Sequence, residues 1–516
     1  MPVSQYILSI DLGTGGPKVS LVRDDGAIAA GTVRPVESLD MGGGGFEQDA
    51  EQVWSTIMSA AKQVVHEADI PAEAVLAVSC TSHYFSVVPI DEQGRPVSNM
   101  IPWMDSRGGA HTQALYERHP DAFFRWIEIN GMLPLPTGSD SLSHMLFIQH
   151  ERPDVYERTY KFVEPMDYVT TRLTGVCTAN PCTAFAQLLT DNRRLDAVRY
   201  DDELLGFSGI DPDKLPDLVP VNACIGTLTR EVAAQIGLLP ETKVFAGMND
   251  THAVSIGTGV YQGRYGGINI GTTCQVLGFV NEKASDLEHS ILTMPSPIPG
   301  RYAVMAECGL GAKPLEHFMT QVVFANDALA DHGVEDPFAN VEKALASVSP
   351  GSGGLLYLPW LAGVQSPRMS DAMRGGFLNF SLDTTRARML RAVLEGVSFH
   401  LRWVLPEVEK FTGQEFGELN FAGGGAVSDE WSQMLADVMG RPVRQLAESR
   451  YVNNRATAFI AFEQLGIVSL NDIEQHCPIH RTYEPRPESQ QTYERMFEQF
   501  VRAFEQNLPI FEALNA

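Results

Sequence analysis

Two Gly-Thr turns, Gly13-Thr14 and Gly271-Thr272, lie 258 residues apart in a chain of 516, and each sits between two apolar runs. Ile10-Asp11-Leu12-Gly13-Thr14 is followed by Val19, and Ile270-Gly271-Thr272-Thr273 by Val276. One Gly-Thr pair constrains little. Two in matching strand–turn–strand contexts, one per half, point to a duplicated architecture with a ligand between the copies. Length agrees, since a chain of this size is too long for one hydrophobic core and implies roughly two to four domains.

Strands and helices alternate around both turns. Residues 6–10 and 19–22 are apolar runs, the second closing on Asp24-Asp25-Gly26, which suits a hairpin. Residues 50 to about 68 predict an amphipathic helix, with Val53, Ile57, Ala60 and Val64 on one face. Apolar runs follow at 75–79 and 85–90. In the second half, 267–270, 275–280, 302–306 and 355–360 predict strands. A long helix is expected over about 384–411, capped by Asp383 or Thr384. The run 419–422 leads through three glycines into a helix from about Ser428, which Gly440 ends. The glycines at 42–45 predict a flexible loop.

The formal net charge of −26 argues against nucleic acid or an anionic membrane as a partner. An anionic ligand would have to be held locally, by backbone N–H groups and a lysine. No apolar run approaches the roughly 18 residues that span a bilayer, and the N-terminus lacks the basic region of a signal peptide. Seven scattered cysteines, none in a CxxC pair, indicate reduced and mostly buried thiols rather than disulfides or zinc. A cytoplasmic location is expected.

Asp11-Leu12-Gly13-Thr14-Gly15-Gly16-Pro17-Lys18 has the chemistry of a phosphate loop. Its glycines let the backbone turn sharply and approach an anion. Thr14 offers a hydroxyl and an N–H, Lys18 a charge, and Asp11 a carboxylate able to hold magnesium through water. On residues alone, a tight hairpin with a solvated Lys18 explains it equally well. Gly271-Thr272-Thr273 offers donors without a cation. Asp250 follows the apolar run 243–245 and precedes a helix-like stretch to Gly257, where α/β folds place reactive groups. Phosphoryl transfer to a hydroxyl needs an acceptor for its proton; Asp250 is that base, a helix N-cap, or both. Gly423-Gly424-Gly425-Ala426 lets the backbone lie against a flat ligand such as adenine.

Asp11-x-Gly13-Thr14, Asp250, Gly271-Thr272 and the run from Gly423 to Asp437 together resemble the FGGY carbohydrate kinases. So do Glu47-Gln48-Asp49, Trp103-x-Asp105-x-Arg107, Asp167-Tyr168 with Leu173-Thr174-Gly175, and the run from Arg391 to Gly396. The resemblance holds in order from about residue 6 to 466. It implies an α/β fold of two ribonuclease H-like domains of the actin and hexokinase type, 1–257 and 258–516, with ATP in the central cleft. It places magnesium near Asp11, Thr14 and Lys18 in the first phosphate loop, and Gly271 and Thr272 in the second. Gly311 joins the nucleotide side, and Gly424, Gly425 and Ser428 the adenosine side. Asp250 matches the family's catalytic base. The sugar falls mainly to the first half, to His83, Tyr84, Phe85, Trp103, Asp105 and Asp250. A homodimer is the family expectation.

The chain also departs from its relatives. Glycerol kinases have an Arg-Glu pair where this chain has Tyr84 and Phe85, which argues against glycerol. Typical xylulokinases carry Gln-Met-His across His83, Tyr84 and Phe85, so the histidine at the third position is absent. The segment around Trp103 is nonetheless closer in texture to xylulokinases. His83 is either a hydroxyl-binding group or a satisfied buried histidine, and Trp103 and Asp105 either touch the sugar or support its pocket. The polar run Asn454-Arg455-Ala456-Thr457-Ala458 replaces a Gly-Ala-Ala packing region, a change expected on the adenosine side. The leading expectation is ATP-dependent phosphorylation of a ketopentose, D-xylulose first. Another ketose, a sugar acid or a polyol is the alternative acceptor, and an actin-like or chaperone-like ATPase the alternative class.

Overall fold

A computed structural model of the chain describes residues 4–329 and 333–515. Strand β1 (Tyr6–Gly13) turns directly into the antiparallel β2 (Gly16–Arg23), and β3 (Ile28–Val33) extends the pair. Successive side chains of a strand point to opposite faces. Leu8, Ile10 and Leu12 accordingly join Val53, Ile57, Ala60 and Val64 of helix α1 (Ala50–Ala68) in one apolar cluster. The helix begins where the Asp49 carboxylate accepts from the Glu51 and Gln52 amides. Strand β4 (Val75–Ser82) runs parallel to β1. Two later strands, β5 (Cys224–Thr227) and β6 (Lys243–Phe245), pair antiparallel, and β6 lies parallel to β4. The short β7 (Met248–Asn249) continues along β4. The sheet order is β5-β6-β4-β1-β2-β3.

Helix α2 (Asp250–Gly257) leads into a second sheet. Its strands are β8 (Gly266–Ile270), β9 (Thr273–Val280), β10 (Ser285–Asp286), β11 (Ile291–Pro295), β12 (Tyr302–Leu310), β13 (Leu419–Ala422), β14 (Val443–Leu446) and β15 (Ile479–Tyr483). Their order is β15-β14-β13-β8-β9-β12, with β11 and β10 beyond. Strand directions repeat those of the first sheet: β9 is antiparallel to its neighbours β12 and β8, β8, β13 and β14 run parallel, and β15 is antiparallel to β14. The duplication expected from the Gly-Thr turns is therefore a duplication of sheet topology, in two ribonuclease H-like domains. Helices α3 (Arg386–Thr412) and α4 (Asp429–Met439) pack on the second sheet.

Helix α5 (Val452–Gln464) crosses back and packs on β1, β4 and α2. Ile7 and Ala77 of the first sheet, Leu277 and Phe279 of the second, and Ala456 and Phe459 of α5 share one buried cluster, so a continuous core joins the domains. The polar run on α5 belongs to this seam. Asn454 donates to the Ser9 and Lys18 carbonyls at 3.1 and 3.0 Å, the Ser9 and Thr457 hydroxyls are 2.6 Å apart, and Arg455 donates to the Gly26 carbonyl at 2.9 Å.

Other local expectations are corrected. Only Val88–Ile90 of the run 85–90 is a strand, because Phe85 takes a left-handed backbone with φ of 56°. Strand Leu356–Leu358 is shorter than the run 355–360. The cap of α3 is Thr385, whose hydroxyl accepts from the Arg388 amide, rather than Asp383 or Thr384. The glycine run is a hairpin turn between Leu39–Gly42 and Gly45–Glu47, with Gly42, Gly43 and Gly44 at positive φ. No helix among the described residues is long and apolar enough to cross a membrane. Cys224 is exposed and Cys177 half-buried, the other five cysteines are buried, and all seven are free.

Candidate active site

The register of the first hairpin sets Asp11 opposite Lys18. The ammonium lies 2.7 Å from Asp11 Oδ2, so Lys18 is paired rather than solvated. Burial works against the lysine charge, but the Asp11 carboxylate outweighs it and raises the Lys18 pKa. Asp11 is 1% exposed. Its Oδ2 also receives Asn453 Nδ2 at 3.4 Å, whereas its Oδ1 is buried without a partner. Asp250, the first residue of α2, joins this group across the end of β4. Burial and the nearby Asp11 charge push its carboxyl up to about 7, against the pull of Lys18. Asp250 is not the cap of its helix: Asn249 is, accepting from the His252 amide.

The orphaned Asp11 Oδ1 supplies what a hard divalent cation needs, a charged oxygen with an unused lone pair. Among the described residues no group of three or more His, Cys, Asp or Glu side chains comes together as a metal cage. That donor set fits magnesium, which takes one or two carboxylates and completes its shell with waters and substrate phosphates.

The glycines divide into two kinds. At Gly13, Gly271 and Gly424 an added Cβ would meet no protein atom closer than 3.6, 3.8 and 3.9 Å, and at Gly15 nothing within 4 Å. None of these four has positive φ. Neither the fold's sterics nor its backbone demands glycine there, so the space is left for something else. Gly311 and Gly425 are different. A Cβ at Gly311 would lie 2.5 Å from the Thr273 carbonyl oxygen, and one at Gly425 2.9 Å from Ile270 Cβ. Gly311 also donates to the Thr272 carbonyl at 2.9 Å and so locks the second Gly-Thr turn. Ser428 caps α4, accepting from the Trp431 amide at 2.9 Å. Because β8 and β13 are parallel neighbours, the second turn and the Gly423–Gly425 run emerge side by side at their carboxyl ends.

On the other wall, the Tyr84 and Phe85 rings pack at a tilt of 49° with centroids 4.7 Å apart. His83 Nδ1 shares a hydrogen bond with Ser86 at 3.0 Å, while its buried Nε2 has no partner. Burial lowers its pKa to about 4 and keeps it neutral. Trp103 Nε1 donates to the Thr14 hydroxyl at 2.9 Å, tying this wall to the first Gly-Thr turn. Asp105 is occupied: its oxygens accept from the Phe46 amide and from Arg107 N and Nε at 2.7–2.9 Å. Arg107 in turn reaches Glu47 at 2.9 Å. Sequence reasoning missed Asn453, Gln275 and Glu307. Gln275 Nε2 donates to Glu307 Oε2 at 2.7 Å and reaches the Thr251 hydroxyl at 3.4 Å. The available signal was a lone glutamate in the apolar run of β12.

Residues 6–257 match the FGGY family of carbohydrate kinases, N-terminal domain, and residues 266–451 the C-terminal domain of the same family. The chain is 26% identical to the xylulose kinase of Bacillus subtilis (strain 168) over 513 residues, 99% of each chain. It is 25% identical to the gluconokinase of the same organism over 448 residues, 84% of this chain and 83% of that one. In fold it is similar to the xylulose kinase of Lactobacillus acidophilus, with a TM-score of 0.84, 22% identity, and 99% and 100% of the two chains covered. With both family domains matched in order across most of its length, this chain belongs to the FGGY family of carbohydrate kinases.

Proposed function

We propose that the protein transfers the γ-phosphoryl group of ATP to a hydroxyl of a ketopentose, with D-xylulose the first candidate. The observation that carries this reading is the meeting of Asp250, Asp11 and Lys18 at one place between the domains, with the Asp250 carboxyl held near neutral pH. A general base works best with a pKa near the operating pH. Relatives named xylulose kinase that align over nearly the whole chain support the choice of acceptor.

Phosphoryl transfer asks for positioning, charge neutralisation and a proton acceptor, and little covalent chemistry from the protein. In this reading residues 1–257 supply the acceptor wall and the base, and residues 258–516 the second phosphate loop and the adenosine side. The bare backbones at Gly13, Gly15 and Gly271 admit phosphates against N–H groups, and Thr14, Thr272 and Lys18 add donors and charge. Gly424 leaves a flat surface for adenine. Asp11 would hold magnesium, which neutralises charge on the phosphates. His83, Tyr84, Phe85 and Trp103 orient the acceptor, with Asp105 fixing Arg107 and the loop rather than meeting the sugar. Asp250 takes the proton as the acceptor oxygen bonds to the γ-phosphorus and the bond to the ADP oxygen breaks.

ADP release measured over a panel of pentuloses, hexuloses, polyols and sugar acids tests this. Turnover should depend on the acceptor and be fastest with a ketopentose. ATP hydrolysis of the same rate without acceptor would refute it.

A further inference from the structure

The second domain contributes a half-buried carboxylate that the mechanism above does not use. Gln275 on β9 and Glu307 on β12 are direct cross-strand partners, and the Gln275 amide holds Glu307 Oε2 at 2.7 Å. The same amide nitrogen reaches the Thr251 hydroxyl at 3.4 Å, and that hydroxyl lies 3.4 Å from the Tyr84 phenol. This chain of contacts crosses from one domain to the other and passes one residue from Asp250. Met305, two positions before Glu307 and hence on the same face of β12, meets the Tyr84 phenol at 3.5 Å. The face of β12 that carries Glu307 is therefore pressed against the aromatic wall assigned to the acceptor.

Glu307 Oε1 is buried and has no hydrogen-bond partner. A carboxylate oxygen in that state is destabilising unless a donor arrives. Burial, with the Asp250 charge added, pushes its pKa up to about 7, against the pull of Gln275, Thr273 and the Gly309 backbone. The Tyr84 phenol is also pushed up, by burial and by Asp250 and Glu307. These three groups share one field.

We propose that Glu307 is the residue by which the second domain reads the acceptor, its Oε1 taking a hydrogen bond from an acceptor hydroxyl, and that the acceptor is therefore a neutral polyhydroxy compound, a ketose or polyol, rather than a sugar acid. The proposal rests on the kinase reading above and gives its neutral acceptor a contact on the second domain. A sugar acid would bring a third carboxylate beside Asp250 and Glu307 in a water-poor site. Like charges so placed are mutually costly. Lys18 and Arg107, the cations described in this site, are already paired, with Asp11 and with Asp105 and Glu47.

The test compares kcat/KM of the full-length wild type for neutral ketoses and polyols with that for aldonates of equal chain length, and repeats the comparison with Glu307→Gln. Neutral acceptors should lead by at least about a hundredfold in the wild type. Glu307→Gln should lose about tenfold to a hundredfold on the neutral acceptor, the range of a hydrogen bond to a charged group. That loss should fall mainly in the acceptor KM, with KM for ATP nearly unchanged and the deficit on aldonates narrowed. A wild type that prefers an aldonate overturns the proposal, and this arm needs no variant to fold. So does an unchanged acceptor KM in a folded Glu307→Gln enzyme that still phosphorylates a neutral sugar, an outcome that leaves the kinase reading standing. If no carbohydrate stimulates ATP turnover by the wild type, both fall together.

Discussion

Asp250 and Asp11 show how much one side chain's chemistry depends on its neighbours. Both are aspartates at strand ends, yet Asp11 sits against an ammonium while burial and the Asp11 charge raise Asp250 to about 7. Asp250→Asn should lower kcat by at least about a hundredfold, the lower range for loss of a general base, while ATP affinity measured by calorimetry changes little. In the wild type, kcat/KM should fall as pH drops through about 7, because the protonated carboxyl cannot take the acceptor's proton; a flat profile from about pH 5 to 8 would argue against Asp250 as the base. Gly424 gives a separate test. Its Cβ position is open in the protein, so Gly424→Ala should leave stability within about 0.5 kcal/mol yet weaken ATP several-fold, as read by melting and calorimetry. Asp11, Lys18 and Asp250 were legible as residues because glycine turns and strand ends announce themselves locally. Glu307 was not, since its partner Gln275, and Thr251 and Tyr84 further along the same chain of contacts, come from three other segments.

At the scale of elements, regular periodicity read true and short irregular pieces did not. Residues 50–68 form the expected helix because a four-three-four spacing of apolar residues matches one helical face and Asp49 caps it. The run 85–90 reads as a strand by composition, but Phe85 is left-handed, and a backbone turn of that kind is decided by what surrounds it. The motif from Arg391 to Gly396 marks the family yet lies away from the chemistry. Arg391 binds Glu395 at 2.9 Å inside the second domain, and Gly396 has no room for a side chain against the Tyr357 carbonyl. Helix α2 is the element on which the proposed base depends most directly, since its cap precedes Asp250. Asn249 is fully buried and also donates to the Cys182 carbonyl at 3.2 Å. Asn249→Ala should cost about 2 kcal/mol in urea unfolding, a cap plus a buried hydrogen bond. It should also lower kcat about tenfold or more by letting Asp250 drift. Full activity in a destabilised variant would separate the helix from the base.

In the whole molecule, the active site carries a stability penalty that depends on pH. The Asp250 carboxyl titrates near 3.8 when unfolded and at about 7 when folded. Between those values the native state holds the extra proton, so stability falls as pH rises and the penalty is complete above about 7. Asp250→Asn removes it. The variant should be more stable than the wild type by an amount that grows by about 2 kcal/mol between about pH 5 and 8; a constant difference in denaturation midpoints would show the carboxyl is not so perturbed. The sequence by itself determined the duplication, the two Gly-Thr turns and the place of Asp250 at a strand end, because each is written in a contiguous stretch whose spacing follows backbone geometry. Only the tertiary structure decided that α5 returns to the first sheet, that Asn454 and Arg455 hold the domain seam, and that Glu307 joins Gln275 in a chain of contacts reaching Thr251 and Tyr84. Those facts depend on side chains hundreds of residues apart becoming neighbours, and such pairings follow from burying one continuous core, which no local pattern encodes.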